Sequence, residues 1–135
     1  FARVCFVPVI LGISKSLWSG VQQVASSKQR AWQQYQPEKY HEIRRVISDF
    51  ERNLEKLSND FYSAIDRSWK GHLKNRDPQI SSVQKASLNL SRFCYKKTSE
   101  IIPLLGMKVM EKDHPVQLCW QDLQTAYQHM IFRDY

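Results

Sequence analysis

Seven apolar residues between positions 43 and 64 alternate spacings of four and three: Ile43, Ile47, Phe50, Leu54, Leu57, Phe61 and Ala64. That spacing places all seven on one side of an α-helix and repeats with each heptad. It predicts a helix of more than four turns whose apolar seam packs along another long helix. Trp69 and Leu73 carry the apolar side onward, a little off that line. Gln36-Pro37 marks the start, because the residue before a proline is driven out of the helical region. Pro37 itself suits a first helical position, and Glu38 suits the positive end of the helix dipole. Charged residues of both signs fill the other faces, eight basic and seven acidic between Pro37 and Asn75.

The flanking segments also read as helices. From about Val9 to Gln34, the residues Val9, Ile13, Leu17, Val21 and Val24 form one helical stripe. Trp18, Ala25 and Trp32 recur every seven residues beside it. Pro8 fits the first turn of this helix. The chain holds no acid up to Gln36, but four basic residues: Arg3, Lys15, Lys28 and Arg30. Asn75-Arg76-Asp77-Pro78 reads as a stop and restart, with Asp77 as N-cap and Pro78 at the first helical position. A third helix then runs from about Gln79 to Glu100, with Ile80, Val83, Ser87, Leu90, Cys94 and Ile101 inward and Phe93 beside them. Pro103 ends it, a short helical piece covers Leu104 to Glu111, and a last helix runs from about Val116 to Met130. No segment alternates with period two, and four Gly with five Pro are too few turn residues for an all-β fold. The expectation is a single all-α domain over 1–135, a bundle of about five helices with two long helices and shorter ones packed across them.

A chain of 135 residues with 42% hydrophobic and 24% charged residues can build one core. Its 20 Lys and Arg against 13 Asp and Glu give a net charge of +7, which favours an anionic partner. The sequence opens on Phe1 rather than Met, which suggests a mature secreted chain after leader removal. The apolar run from Val4 to Leu11 falls far short of the ~20 residues a spanning helix needs, so it is expected to belong to the folded protein. The three cysteines, Cys5, Cys94 and Cys119, show no metal-ligand spacing. They fit either three thiols or one Cys94–Cys119 bridge plus a free thiol.

Phosphate-loop, dinucleotide, nucleophile-elbow and zinc-protease motifs are all missing, and His41, His72, His114 and His129 share no ligand spacing. No catalytic residue, cofactor or metal is expected. Asn89-Leu90-Ser91 matches a glycosylation sequon but falls mid-helix, where no glycan is expected. The distinctive feature is amphipathicity joined to positive charge. The first helix carries more apolar residues than one face of a small bundle can bury, so part of that surface is expected to stand exposed beside cations, as in membrane-surface proteins. The expected apolar contacts are Phe6, Val7, Ile10, Ile13, Leu17, Trp18 and Trp32. The expected basic contacts are Arg3, Lys15, Lys28, Arg30, Arg92, Lys96 and Lys97. The partner would be a lipid bilayer, favoured by anionic lipid. A nucleic-acid-binding subunit is a weaker alternative, because the mixed second helix lacks a dense Lys/Arg stripe.

Several local patterns fall in a familiar order. Ala64-Ile65-Asp66 lies towards the end of the long helix, Pro78 marks a break, and the third helix carries Arg92, Phe93 and Tyr95. Ile101-Ile102-Pro103, Met110-Glu111 and Pro115-Val116 follow. In these stretches, and in its helix plan, the chain resembles the abalone sperm acrosomal proteins, the family of lysin and its fusogenic paralogue. The resemblance implies a secreted protein of the acrosomal vesicle with two long antiparallel helices. It would act without bond cleavage, either on egg and sperm membranes during fusion or on an egg-coat glycoprotein. The nearly neutral second helix departs from the basic tracks of lysin, and the apolar first segment is closer to the fusogenic paralogue. Joining two bilayers would also require two binding faces or a homo-oligomer.

Overall fold

The computed structural model describes residues 2–129, with side chains from Val4 onward. Four α-helices are present: α1 (Ala2–Tyr35), α2 (Pro37–Leu73), α3 (Ile80–Ile101) and α4 (Pro115–Tyr127). Two short 3-10 turns, Ile102–Leu104 and Met107–Met110, join α3 to α4. No strand occurs among the described residues, so the fold is all-α.

The seam of α2 is buried as its spacing predicts. Ile43, Ile47, Phe50, Leu54, Phe61 and Ala64 lie in the core, and Leu57 is half-buried. Phe50 is its centre, stacked on Trp18 of α1 at 3.8 Å between ring centroids and on Phe93 of α3 at 5.3 Å. Only Gln36 separates α1 from α2. Across that pair Lys39 lies over the Trp32 ring, Gln22 bonds both Arg44 and Glu51, and Trp18 meets Phe50.

Three boundaries differ from the sequence reading. Helix α1 starts at Ala2 and carries Pro8 inside it, although an interior proline forfeits one helical hydrogen bond. Helix α3 starts at Ile80 rather than Gln79. Asp77 does not cap it: its Oδ1 accepts from the Gln79 N–H at 3.0 Å within the turn, and Gln79 is left-handed at φ +50°. The short helix expected over 104–111 is instead the pair of 3-10 turns, separated by Gly106 at φ +92°. Among the described residues, four α-helices and two 3-10 turns stand where about five helices were expected.

Helix α1 packs against α2, α3 and α4. Against α4, a side chain on Gly20 would come within 2.8 Å of Val116 Cγ2, so the close approach depends on glycine there. Further along, Phe6 stacks on His129 at 4.6 Å. Helix α4 begins at Pro115 behind His114, whose Nδ1 accepts from the Val116 N–H at 3.1 Å. Between α1 and α3 the core includes hydroxyls: Ser14, Ser87, Ser91 and Thr98 are fully buried. Trp18 Nε1 donates to Thr98 Oγ1 at 3.0 Å, and Thr98 passes its own proton to the Cys94 carbonyl at 2.7 Å. The Ser91 hydroxyl has no hydrogen-bond partner among the described residues, whereas the Ser14 hydroxyl lies against the Cys94 thiol. All three cysteines are free, Cys94 buried, Cys119 half-buried and Cys5 exposed, so Cys94 and Cys119 are not bridged. Burial pushes the Cys94 thiol up to about 11, which the Ser14 hydroxyl beside it partly opposes.

Candidate membrane-contact surface

The apolar residues expected to face lipid are mostly core. Val7, Ile10 and Leu17 are fully buried, and Trp18 and Trp32 nearly so. Phe6 and Ile13 are half-buried against that core. The expectation of an exposed apolar face on α1 is corrected by its surroundings. A helix with three neighbours buries far more of its circumference than a helix with one, and α1 touches all three other helices. What α1 shows to water is mainly small or polar, including Cys5, Pro8, Gly12, Ser16, Ser19 and Gln23, with Val9 half exposed and Tyr35 more fully so at its end.

Even so, α1 has the makings of a membrane helix. From Val4 onward it is long and apolar enough to cross a bilayer, by length and composition. The sequence reading missed this because it counted only the unbroken run to Leu11. Only 39% of its most apolar stretch is buried in the bundle. Core helices of soluble proteins and signal sequences share these properties.

The expected basic contacts divide into two groups. Lys15, Arg30, Arg92 and Lys96 are exposed. Lys28 is half-buried: its Nζ donates to the Leu105 carbonyl at 3.1 Å and lies 5.4 Å from the centre of the Trp32 ring, with Lys39 at 5.1 Å. Each ammonium gains from the negative face of the indole. Lys97, also half-buried, bonds Glu100 at 3.2 Å. The Arg3 side chain lies outside the described ones. Lys85, Arg92 and Lys96 share the outer side of α3, separated by seven and four residues. Positive charge is unevenly shared: α1 has four basic residues and no acid, α3 four against one, and α2 seven against seven.

Most of the large apolar side chains that stand exposed lie outside α1. Tyr62, Trp69 and Leu73 follow one another at seven and four residues along the last turns of α2, and Ile80 opens α3. Trp69 is 60% exposed and Leu73 63%. Met107, Met110 and Leu118 form a second group near the start of α4. Trp69 and Leu73 carried a signal in the sequence, since both fall off the heptad line.

Among the described residues no group of three or more His, Cys, Asp or Glu side chains could hold a metal ion. No protein-family model, no curated protein and no solved structure matches this chain.

Proposed function

We propose that this is a secreted, membrane-active protein that promotes fusion of sperm and egg membranes and is released from the acrosomal vesicle. The observation that carries the reading is the double character of α1. It is the central helix of the bundle, and it is also acid-free and apolar enough to lie in a bilayer. The contacts Trp32–Lys39, Gln22–Arg44 and Trp18–Phe50 support an antiparallel hairpin of α1 and α2, with α3 and α4 laid along α1. In that arrangement Phe6, Val7, Ile10, Ile13, Leu17 and Trp18 reach lipid only when α1 leaves its neighbours.

Energetics make the exchange feasible. Lipid tails are as apolar as leucine, so the buried side of α1 loses little on passing from core to hydrocarbon. Helix α3 also carries an unpaired buried hydroxyl, Ser91, which costs about 1–3 kcal/mol while buried. Exposed cations supply the approach, at about 1 kcal/mol per Lys or Arg near an anionic surface.

A lipid-mixing and contents-leakage assay tests the proposal. Purified protein should mix anionic vesicles at low protein-to-lipid ratio, and mixing should persist in salt once apolar groups have inserted. The second reading, non-enzymatic dissolution of an egg-coat glycoprotein, is favoured by the exposed Met107, Met110 and Leu118 group, which could compete for apolar subunit contacts. It predicts stoichiometric dissolution of isolated egg coats and no vesicle mixing.

A further inference from the structure

The folded bundle needs a surface that meets the bilayer before α1 can move, and the expected one on α1 is buried. Tyr62, Trp69 and Leu73 share one flank of α2, within about 40° of each other at 100° per residue. This flank is not the seam: the buried positions Phe61 and Ala64 point elsewhere around the helix. Trp69 is braced on His72, ring centroids 5.8 Å apart, which holds the indole in a preferred orientation while leaving it exposed.

Four exposed cations surround these last turns and the turn after them: Lys70 next to the flank, Lys74 and Arg76 just beyond the helix end, and Arg67 about 160° round the helix from Trp69. Two acids lie among them. Asp66 lies on the flank itself and is neutralised by Lys70 at 2.8 Å, both side chains well solvated, and Asp77 turns its carboxylate onto the Gln79 N–H. Positive charge therefore exceeds negative across these turns.

The turn itself is built tightly. The Arg76 N–H donates to the Gly71 carbonyl at 2.8 Å, and a side chain on Gly71 would come within 2.7 Å of the Asp77 carbonyl oxygen. The turn thus closes against one side of α2. Trp69 and Leu73 each sit two residues from Gly71, about 160° around the helix from it, and remain open.

We infer that this end of the bundle is the docking surface for an anionic bilayer, with Trp69 and Leu73 entering the headgroup region and Lys70, Lys74 and Arg76 facing lipid phosphates. The inference rests on the membrane reading above. Tryptophan is favoured at interfacial depth, and an apolar strip beside cations is how a helix lies on a charged membrane. The charge excess selects a bilayer over an apolar protein partner.

Flotation with phosphatidylserine-containing and pure phosphatidylcholine vesicles tests it, using the full chain. Trp69→Ser with Leu73→Ser should weaken partition to the anionic vesicles at least about tenfold. Lys70→Gln with Lys74→Gln and Arg76→Gln should reduce binding at low salt and leave less salt dependence. Gln121→Ser, at an exposed side chain on α4, should change nothing. Circular dichroism and thermal midpoints should match the parent, since the replaced side chains are exposed. Parent-like binding by Trp69→Ser with Leu73→Ser would overturn the docking surface and leave the membrane reading standing; that is also the result expected if this end serves a protein partner. Failure of the parent protein to bind either vesicle would overturn both.

Discussion

The indole Nε1 of Trp18 donates to the hydroxyl of Thr98 at 3.0 Å, a buried bond between residues 80 apart in sequence. Thr98 is held in place by its bond to the Cys94 carbonyl, so α1 and α3 are joined by a buried polar relay. Thr98→Val keeps the shape and leaves the indole N–H unpaired. The expected loss is about 1–3 kcal/mol in urea unfolding. Trp18→Phe removes the donor together with its need for an acceptor and should cost no more than its lost packing. Equal losses in Trp18→Phe and Thr98→Val would show that the bond itself contributes little.

Burial of Cys94 gives a pH dependence of known sign. In the fold the thiol keeps its proton to about 11, against an ordinary value of 9.0. The native state therefore binds the extra proton between those values. The associated stability is complete below pH 9 and is lost as pH rises towards 11, roughly 3 kcal/mol in all. Urea titrations at pH 8 and pH 10.5 should show a steeper decline in the parent than in Cys94→Ala. A maleimide should label exposed Cys5 quickly and buried Cys94 only on unfolding.

Two helical glycines should respond oppositely to alanine. At Gly12 an added side chain would meet nothing within 4 Å, so Gly12→Ala should stabilise by about 0.5–1 kcal/mol through helix propensity alone. At Gly71 the same gain is opposed by contact with the Asp77 backbone oxygen at 2.7 Å, which cannot rotate away. Gly71→Ala should destabilise by about 1–3 kcal/mol and loosen the turn below Trp69. Thermal midpoints moving in the same direction for both would contradict this packing.

The legible part of this fold was the part with a single partner direction. The seam from Ile43 to Ala64 faces one side, and its period fixed the helix and its buried residues. Helix α1 was legible as a helix but not in its placement. Apolar residues nearly all round a helix fit exposure to lipid or burial among three neighbours, and only the tertiary arrangement chooses. Asp77-Pro78 satisfies the local rules for a helix start and for a turn, and the left-handed Gln79 that decides between them leaves no mark in the sequence. Trp69 and Leu73 were visibly off the seam, yet nothing local tells a helix flank that meets a neighbour from one that does not.

If α1 passes from the core of the bundle into the bilayer, Trp18 goes with it, and the depth of its indole reports the passage. Fluorescence is read on anionic vesicles whose lipids carry bromine along the acyl chain, for the parent and for Trp18→Phe. The account predicts strong quenching in the parent, reduced in Trp18→Phe by the share Trp18 contributes. Vesicles that mix while Trp18 stays unquenched, still stacked on Phe50, would contradict it.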